Sequence, residues 1–257
     1  MGKKIQFTGK TRYELLDTIR GTMLISMMVY HACWNFVYIY GLPWRWYETK
    51  AAYLWQQSIC WTFILLSGFC FSLGKRHLKS GGMVFAGGAV VTLITMLFMP
   101  SNRVVFGVLT CIGSCILLLG VLEKGLRKIP VEWGLTVSFF LFLLLKNINS
   151  GYIGLGKWKI LELPREWYQN LWTSFWGFPH SGFYSTDYFS VFPWIFLFIT
   201  GFYLYGIFVK YGWLEKPFMK TGVTPLSFLG RHSLIIYLLH QPVIFGVQEI
   251  LKKFSFL

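Results

Sequence analysis

Leu16-Asp17-Thr18-Ile19-Arg20-Gly21 opens an apolar stretch that runs on through Met27-Met28-Val29-Tyr30-His31 toward Tyr40. About 20 mostly apolar residues suffice to cross a bilayer, so the stretch is long enough to span one. It nevertheless holds an acid, an arginine and a histidine. Such groups are costly in hydrocarbon and need partners or a function there. Arg20 and His31 are eleven residues apart, which on an α-helix is about three turns, roughly 20° of rotation and a rise of about 16 Å. They share a face, one near a membrane edge and the other near mid-depth. Asp17 falls within about 40° of His31 on the same wheel. A long ligand with a charged end and a reactive end would fit along that face.

The rest of the chain agrees with a membrane setting. Of its 257 residues, 55% are hydrophobic and 13% charged, about half the charged share of a soluble domain. Lys and Arg outnumber acids 24 to 10, which in a soluble chain would suggest nucleic acid. Here most of the basic residues lie in short loops between apolar segments, and membrane orientation accounts for them. The sequence predicts seven spans in a single domain over 1–257: approximately 15–40, 52–74, 83–99, 104–122, 132–146, 189–209 and 227–250. The fold class is therefore an all-α polytopic membrane bundle.

Loop charge alternates along the chain. Lys3, Lys4, Lys10 and Arg12, then Lys75, Arg76 and Lys79, then Lys124, Arg127 and Lys128, then Lys210, Lys216 and Lys220 mark one side. Only Arg45, Lys50 and Arg103 occupy the other side's short loops. The positive-inside rule puts the N-terminus in the cytoplasm and the C-terminus outside. The first apolar segment is too long for a signal-peptide core, so none is expected to be cleaved. Cys33, Cys60, Cys70, Cys111 and Cys115 sit inside apolar segments and read as small hydrophobes.

Residues 147–188 form one long extracytoplasmic connection rich in aromatics, among them Trp158, Trp167, Trp172 and Trp176, with His180 and Asp187. It reads as an interfacial aromatic belt, or as a lid or acceptor surface, since aromatic faces suit sugar rings. Asp187 could also be an N-cap for the sixth span.

Three clusters carry candidate chemistry. His31 has Asn35 at i+4, within reach of its ring, and Asp17 and Arg20 can pair with each other. A lone histidine here would equally serve as a hydrogen-bonded core residue. The last span holds Arg231-His232-Ser233 at its start and Tyr237 and His240 further on, with Ser233, Tyr237 and His240 on one stripe. It repeats the layout of the first span, with basic groups at the rim and an imidazole at depth. Pro242 frees a backbone carbonyl near His240. The third cluster is Asp187-Tyr188-Phe189. No phosphate loop, H-E-x-x-H zinc motif or G-x-S-x-G elbow occurs, and Ser67-Gly68 reads as a seat for close helix packing.

The chain resembles the small bacterial relatives of heparan-α-glucosaminide N-acetyltransferase, within the transmembrane acyltransferase superfamily. The resemblance rests on Leu16-Asp17-x-x-Arg20-Gly21 with His31, on Leu66-Ser67-Gly68, on Phe106-Gly107-x-Leu109, on Asp187-Tyr188-Phe189-x-x-Phe192-Pro193-Trp194, and on Pro225-Leu226-Ser227-Phe228-Leu229-Gly230-Arg231-His232-Ser233-Leu234 through His240. It implies acetyl-CoA as acyl donor on the cytoplasmic side, no metal, and a sugar or amino-sugar acceptor met from the other face. His31 becomes the catalytic base or acetyl carrier, with Asn35, His240 and Asp187 beside it in the catalytic set. Arg20 and Arg231 would hold the CoA phosphates, helped by Lys75 or Arg76, while Asp17, Ser233 and Tyr237 complete the donor site. Asp187 and His180 would face the acceptor. The setting is a multi-pass protein of the inner or plasma membrane with lipid and glycan as partners and no nucleic acid, and the resemblance is compatible with a homodimer. Two positions depart from the family pattern. Asn35 stands where many relatives carry an acid, and Thr110 where many carry a histidine. The rival reading is a transporter for small solutes or anions that uses the same buried polar residues.

Overall fold

A computed structural model describes residues 12–254, so the expectations for Lys3, Lys4 and Lys10 lie outside the described residues. In chain order the elements are α1 (Glu14–Tyr38), α2 (Lys50–Phe71), α3 (His77–Phe98), α4 (Val108–Leu126), α5 (Val131–Leu145), strands β1 (Tyr152–Leu155) and β2 (Trp158–Glu162), α6 (Leu171–Trp176), α7 (Val191–Lys210), α8 (Pro217–Lys220), α9 (Thr224–Arg231) and α10 (Ser233–Lys253). The all-α membrane class holds. Six helices are long and apolar enough to cross a membrane: α2, α3, α4, α5 with the turn after it, α7 and α10.

Six of the seven expected spans are found among the described residues; the first segment is the exception, and the seventh starts later than expected. The first segment is a helix of 25 residues, about 37 Å long at 1.5 Å per residue, but it is not among the six. Arg20, His31 and Asn35 fall within its length and lower its mean hydropathy. The last segment is not continuous. His232, with φ −102° and ψ 20°, separates the eight-residue α9 from α10. Only α10 has spanning length.

The described residues form two compact units: 12–43 together with 212–254, and Trp44–Tyr211. In the second unit, glycines let helix backbones touch. A β-carbon on Gly68 of α2 would stand 2.0 Å from the Phe198 carbonyl oxygen of α7, and one on Gly201 of α7 would stand 2.1 Å from that of Leu65. The helix-packing reading of Ser67-Gly68 holds. Gly88 and Gly113 seat α3 on α4 in the same way, against Thr110 and Phe85. The outer side of α3 presents Leu97 and Phe98 to its surroundings, 67% and 78% exposed, as a lipid-facing surface requires.

The 147–188 segment is largely ordered structure. Strands β1 and β2 pair antiparallel around a tight turn in which Gly156 takes φ +58°, a conformation natural to glycine. Helix α6 starts at a capping box, in which Asn170 accepts from the Thr173 backbone N–H and Thr173 answers with its hydroxyl.

The first unit contains α1, α8, α9 and α10. Helix α9 crosses the first turns of α1 with its backbone against that of α1. A β-carbon on Gly21 would meet the Leu226 carbonyl oxygen at 1.9 Å, and one on Gly230 would meet that of Asp17 at 1.9 Å. Between these seats the Thr18 and Ser227 hydroxyls bond at 2.8 Å, and Val223 N–H donates to Thr18 Oγ1 at 3.0 Å. Helix α10 runs beside the second half of α1 in the same direction: His31 meets His240, Asn35 meets Gln248 and Tyr40 meets Glu249. Both helices therefore begin on the same side.

Candidate active site

The first unit brings most of the sequence-predicted residues together at two levels of α1. At the first level, Asp17 is buried, 7% exposed. Its carboxylate accepts from Arg12 Nε at 2.7 Å and pairs with Arg20 Nη1 at 3.4 Å. A buried carboxylate must be paired to be tolerated, and here two guanidinium groups do it. Asp17 is thus the counter-ion that sets the Arg20 fork. Because Gly230 rests on the Asp17 backbone, its neighbour Arg231 comes to the same end of α1. Arg231 Nε donates to the Ser227 carbonyl at 3.2 Å, and the rest of this exposed side chain extends beyond α9. His232 is exposed, with Nδ1 against the Phe228 carbonyl at 2.9 Å.

At the second level, three turns along α1, the rings of His31 and His240 lie with centroids 4.9 Å apart, tilted by 52°. His240 is buried, 7% exposed. Its Nδ1 is hydrogen-bonded to the carbonyl of Tyr237, one turn back in α10, and its Nε2 is buried with no hydrogen-bond partner among the described residues. The Tyr237 ring lies 5.1 Å from that of His240. Ser233, at the first position of α10, is half-buried, about 10 Å nearer the charged level by helical rise.

The i+4 spacing predicts that Asn35 reaches the His31 ring directly. Instead Asn35 is 1% exposed, and its Nδ2 donates to Gln248 at 2.8 Å and to Gln241 at 3.4 Å. Gln241 is the group that touches the ring, with Nε2 3.1 Å from His31 Nδ1. Neither Gln241 nor Gln248 was singled out from the sequence. A usable signal was present: 241 and 248 are seven apart and share a face of α10, as 31 and 35 share a face of α1.

Asp187, His180, Lys75 and Arg76 belong to the other unit. Asp187 does not cap its own span, since α7 begins after Ser190 without a side-chain cap. Its Oδ2 accepts from the Val108 N–H at 3.3 Å, at the start of α4. Phe189 N–H donates to the Phe106 carbonyl at 2.8 Å, so Phe106-Gly107 and Asp187-Tyr188-Phe189 form one joint. His180 Nδ1 pairs with Ser174 Oγ at 3.0 Å, and Tyr188 donates to the Ser174 carbonyl. Burial raises the Tyr188 and Tyr168 hydroxyls above the usual tyrosine range. Thr110 Oγ1 is buried with no hydrogen-bond partner among the described residues, facing Gly88.

These features define a class: a polytopic helical membrane protein that holds an imidazole pair, His240 buried and His31 half-buried, about three helical turns from paired guanidinium groups. Residues 12–242 match the family model of the heparan-alpha-glucosaminide N-acetyltransferase catalytic domain. The chain belongs to that family and is a membrane acetyltransferase. Comparisons with curated proteins and with solved structures give no match. Among the described residues, no three His, Cys, Asp or Glu side chains gather as a metal site would.

Proposed function

We propose that the chain moves an acetyl group from cytoplasmic acetyl-CoA to a hydroxyl or amine of a sugar or amino sugar on the far side of the plasma or inner membrane. The observation that carries this reading is the His31–His240 pair, 4.9 Å apart, set about 16 Å along α1 from Arg20. The two levels match a donor that is anionic at one end and reactive at the other. The positive-inside pattern supports entry of that donor at the Arg20 and Arg231 level.

Each residue has a chemical task. Arg20 and Arg231 grip phosphate oxygens, and a planar guanidinium suits that geometry better than an ammonium. Asp17 pre-orients Arg20. Ser233 and Tyr237 lie on α10 between the two levels and border the path of the donor arm. The imidazole pair handles the proton of the acceptor as the acyl carbon is attacked. Positioned proton transfer of this kind contributes typically 10²–10⁴-fold.

The test is transfer by purified protein in detergent, with radiolabelled acetyl-CoA as donor and glucosamine as acceptor probe. Acetylated glucosamine that appears only with donor present supports the reading. Solute flux across liposomes without donor, and no acetylated product, replaces it with transport.

A further inference from the structure

Two backbone carbonyls settle where each imidazole of the pair carries its proton. A carbonyl oxygen only accepts, so any nitrogen bonded to it must donate. In α10 the Tyr237 carbonyl faces His240 Nδ1. Neutral His240 therefore has its proton on Nδ1 and a bare lone pair on Nε2, the buried nitrogen that meets no hydrogen-bonding group among the described residues.

At His31 a chain of three side-chain amides, Gln248, Asn35 and Gln241, links a backbone carbonyl to the ring. The Ala32 carbonyl accepts from Gln248 Nε2 at 3.0 Å. Gln248 thereby turns Oε1 toward Asn35 and accepts from Asn35 Nδ2 at 2.8 Å. The same Nδ2 donates to Gln241 Oε1 at 3.4 Å. That leaves Gln241 Nε2 facing His31 Nδ1 at 3.1 Å. An amide nitrogen only donates, so His31 Nδ1 accepts and neutral His31 has its proton on Nε2. The two rings hold opposite tautomers.

We propose that His240 is the base of the transfer and His31 its hydrogen-bond donor, with Gln248, Asn35 and Gln241 as positioning residues that fix the His31 tautomer. This rests on the acyl-transfer reading above and reverses the assignment that the first-span resemblance implies. In the step, the acceptor oxygen or nitrogen attacks the thioester carbon and its proton passes to His240 Nε2. The thioester oxygen, now negative, accepts from His31 Nε2–H. The C–S bond then breaks, the C=O bond re-forms, and sulfur leaves as thiol with the proton from His240 Nε2. His31 keeps its proton throughout.

The experiment separates the rings with glutamine, whose amide nitrogen stands near the Nε2 position and donates but cannot act as a base. His31→Gln should keep transfer within about tenfold of wild type, whereas His240→Gln should lose about 10²–10⁴-fold, both with the wild-type KM for acetyl-CoA. Equal loss in the two variants, or transfer retained by His240→Gln, overturns the proposal. Nitrogen-15 NMR of histidine-labelled full-length protein reads the tautomers without turnover and should find Nδ1–H at His240 and Nε2–H at His31. The opposite tautomers in an active enzyme sink this inference alone. Wild-type protein with no turnover sinks the acyl-transfer reading and the base assignment with it.

Discussion

Gly230 lies so close to Asp17 that a β-carbon on it would stand 1.9 Å from the Asp17 carbonyl oxygen. The contact is backbone on backbone, so nothing flexible can move aside. Gly230→Ala must push α9 off α1 and should destabilise the protein by about 1–3 kcal/mol, the usual range for overpacking. Gly21→Ala, facing Leu226 at the same distance, should do likewise. Thermal unfolding in detergent, followed by circular dichroism, checks both. An unchanged midpoint would show that the crossing is looser than described.

On the acyl-transfer reading, Arg20→Gln and Arg231→Gln remove phosphate grips that act equally in ground and transition states. Each should raise the KM for acetyl-CoA about three- to tenfold and leave kcat unchanged. The wild-type KM should itself rise with ionic strength, because both groups are partly exposed to solvent screening. Steady-state kinetics at two salt concentrations test this, and a fall in kcat with constant KM would contradict it.

Asn35→Asp replaces a double donor with a group that only accepts when ionised. It would face two amide oxygens, Gln248 Oε1 and Gln241 Oε1. Both amides must turn over, which costs Gln248 its bond to the Ala32 carbonyl and presents an oxygen to His31 Nδ1. The substitution should destabilise the fold by about 1–3 kcal/mol and move the His31 proton to Nδ1. Chemical denaturation and nitrogen-15 shifts read the two effects separately.

Asp187 serves α4 as a cap supplied from 79 residues along the chain. Asp187→Ala should cost about 0.5–2 kcal/mol, and Asp187→Asn, which keeps an acceptor oxygen, clearly less. Transfer by Asp187→Asn should stay near wild type. A hundredfold loss in that variant would move Asp187 into the chemistry.

Tyr40 donates to Glu249 Oε1 at 2.8 Å, tying the end of α1 to α10. Burial first, then this bond and the Glu249 charge, push its hydroxyl up to about 12 from 10.0. The folded state thus holds that proton more tightly than the unfolded chain. Its contribution is complete below pH 10 and is lost as pH rises through about 12. Stability of wild type should fall across that window and Tyr40→Phe should fall less, as measured by denaturant titration at several pH values.

Much of the fold could be read from the residues because apolar runs of membrane length are a strong signal. The sharing of one α1 face by Arg20 and His31 followed from helical period alone. What escaped depends on neighbours in space. The break at His232 has no proline to announce it, and Leu229-Gly230-Arg231 reads as ordinary helix until Gly230 is seated on Asp17. Gln241 and Gln248 look like neutral polar residues until α10 is laid beside α1 and their partners appear. Asp187 sits just before its own span in sequence, which hides that the helix end it serves begins at Val108.

The seating of α9 on α1 gives the first unit a built-in ruler. Since Gly21 and Gly230 each rest on the opposite backbone, sliding by a single residue would drive a side chain into a carbonyl, and α9 travels with α1 as one rod. The span from guanidinium to imidazole is then fixed by eleven residues of helix and cannot stretch to suit a substrate. On the acyl-transfer reading, carriers are graded by the length of the arm between phosphate and thioester, and one that is too short cannot engage both marks at once.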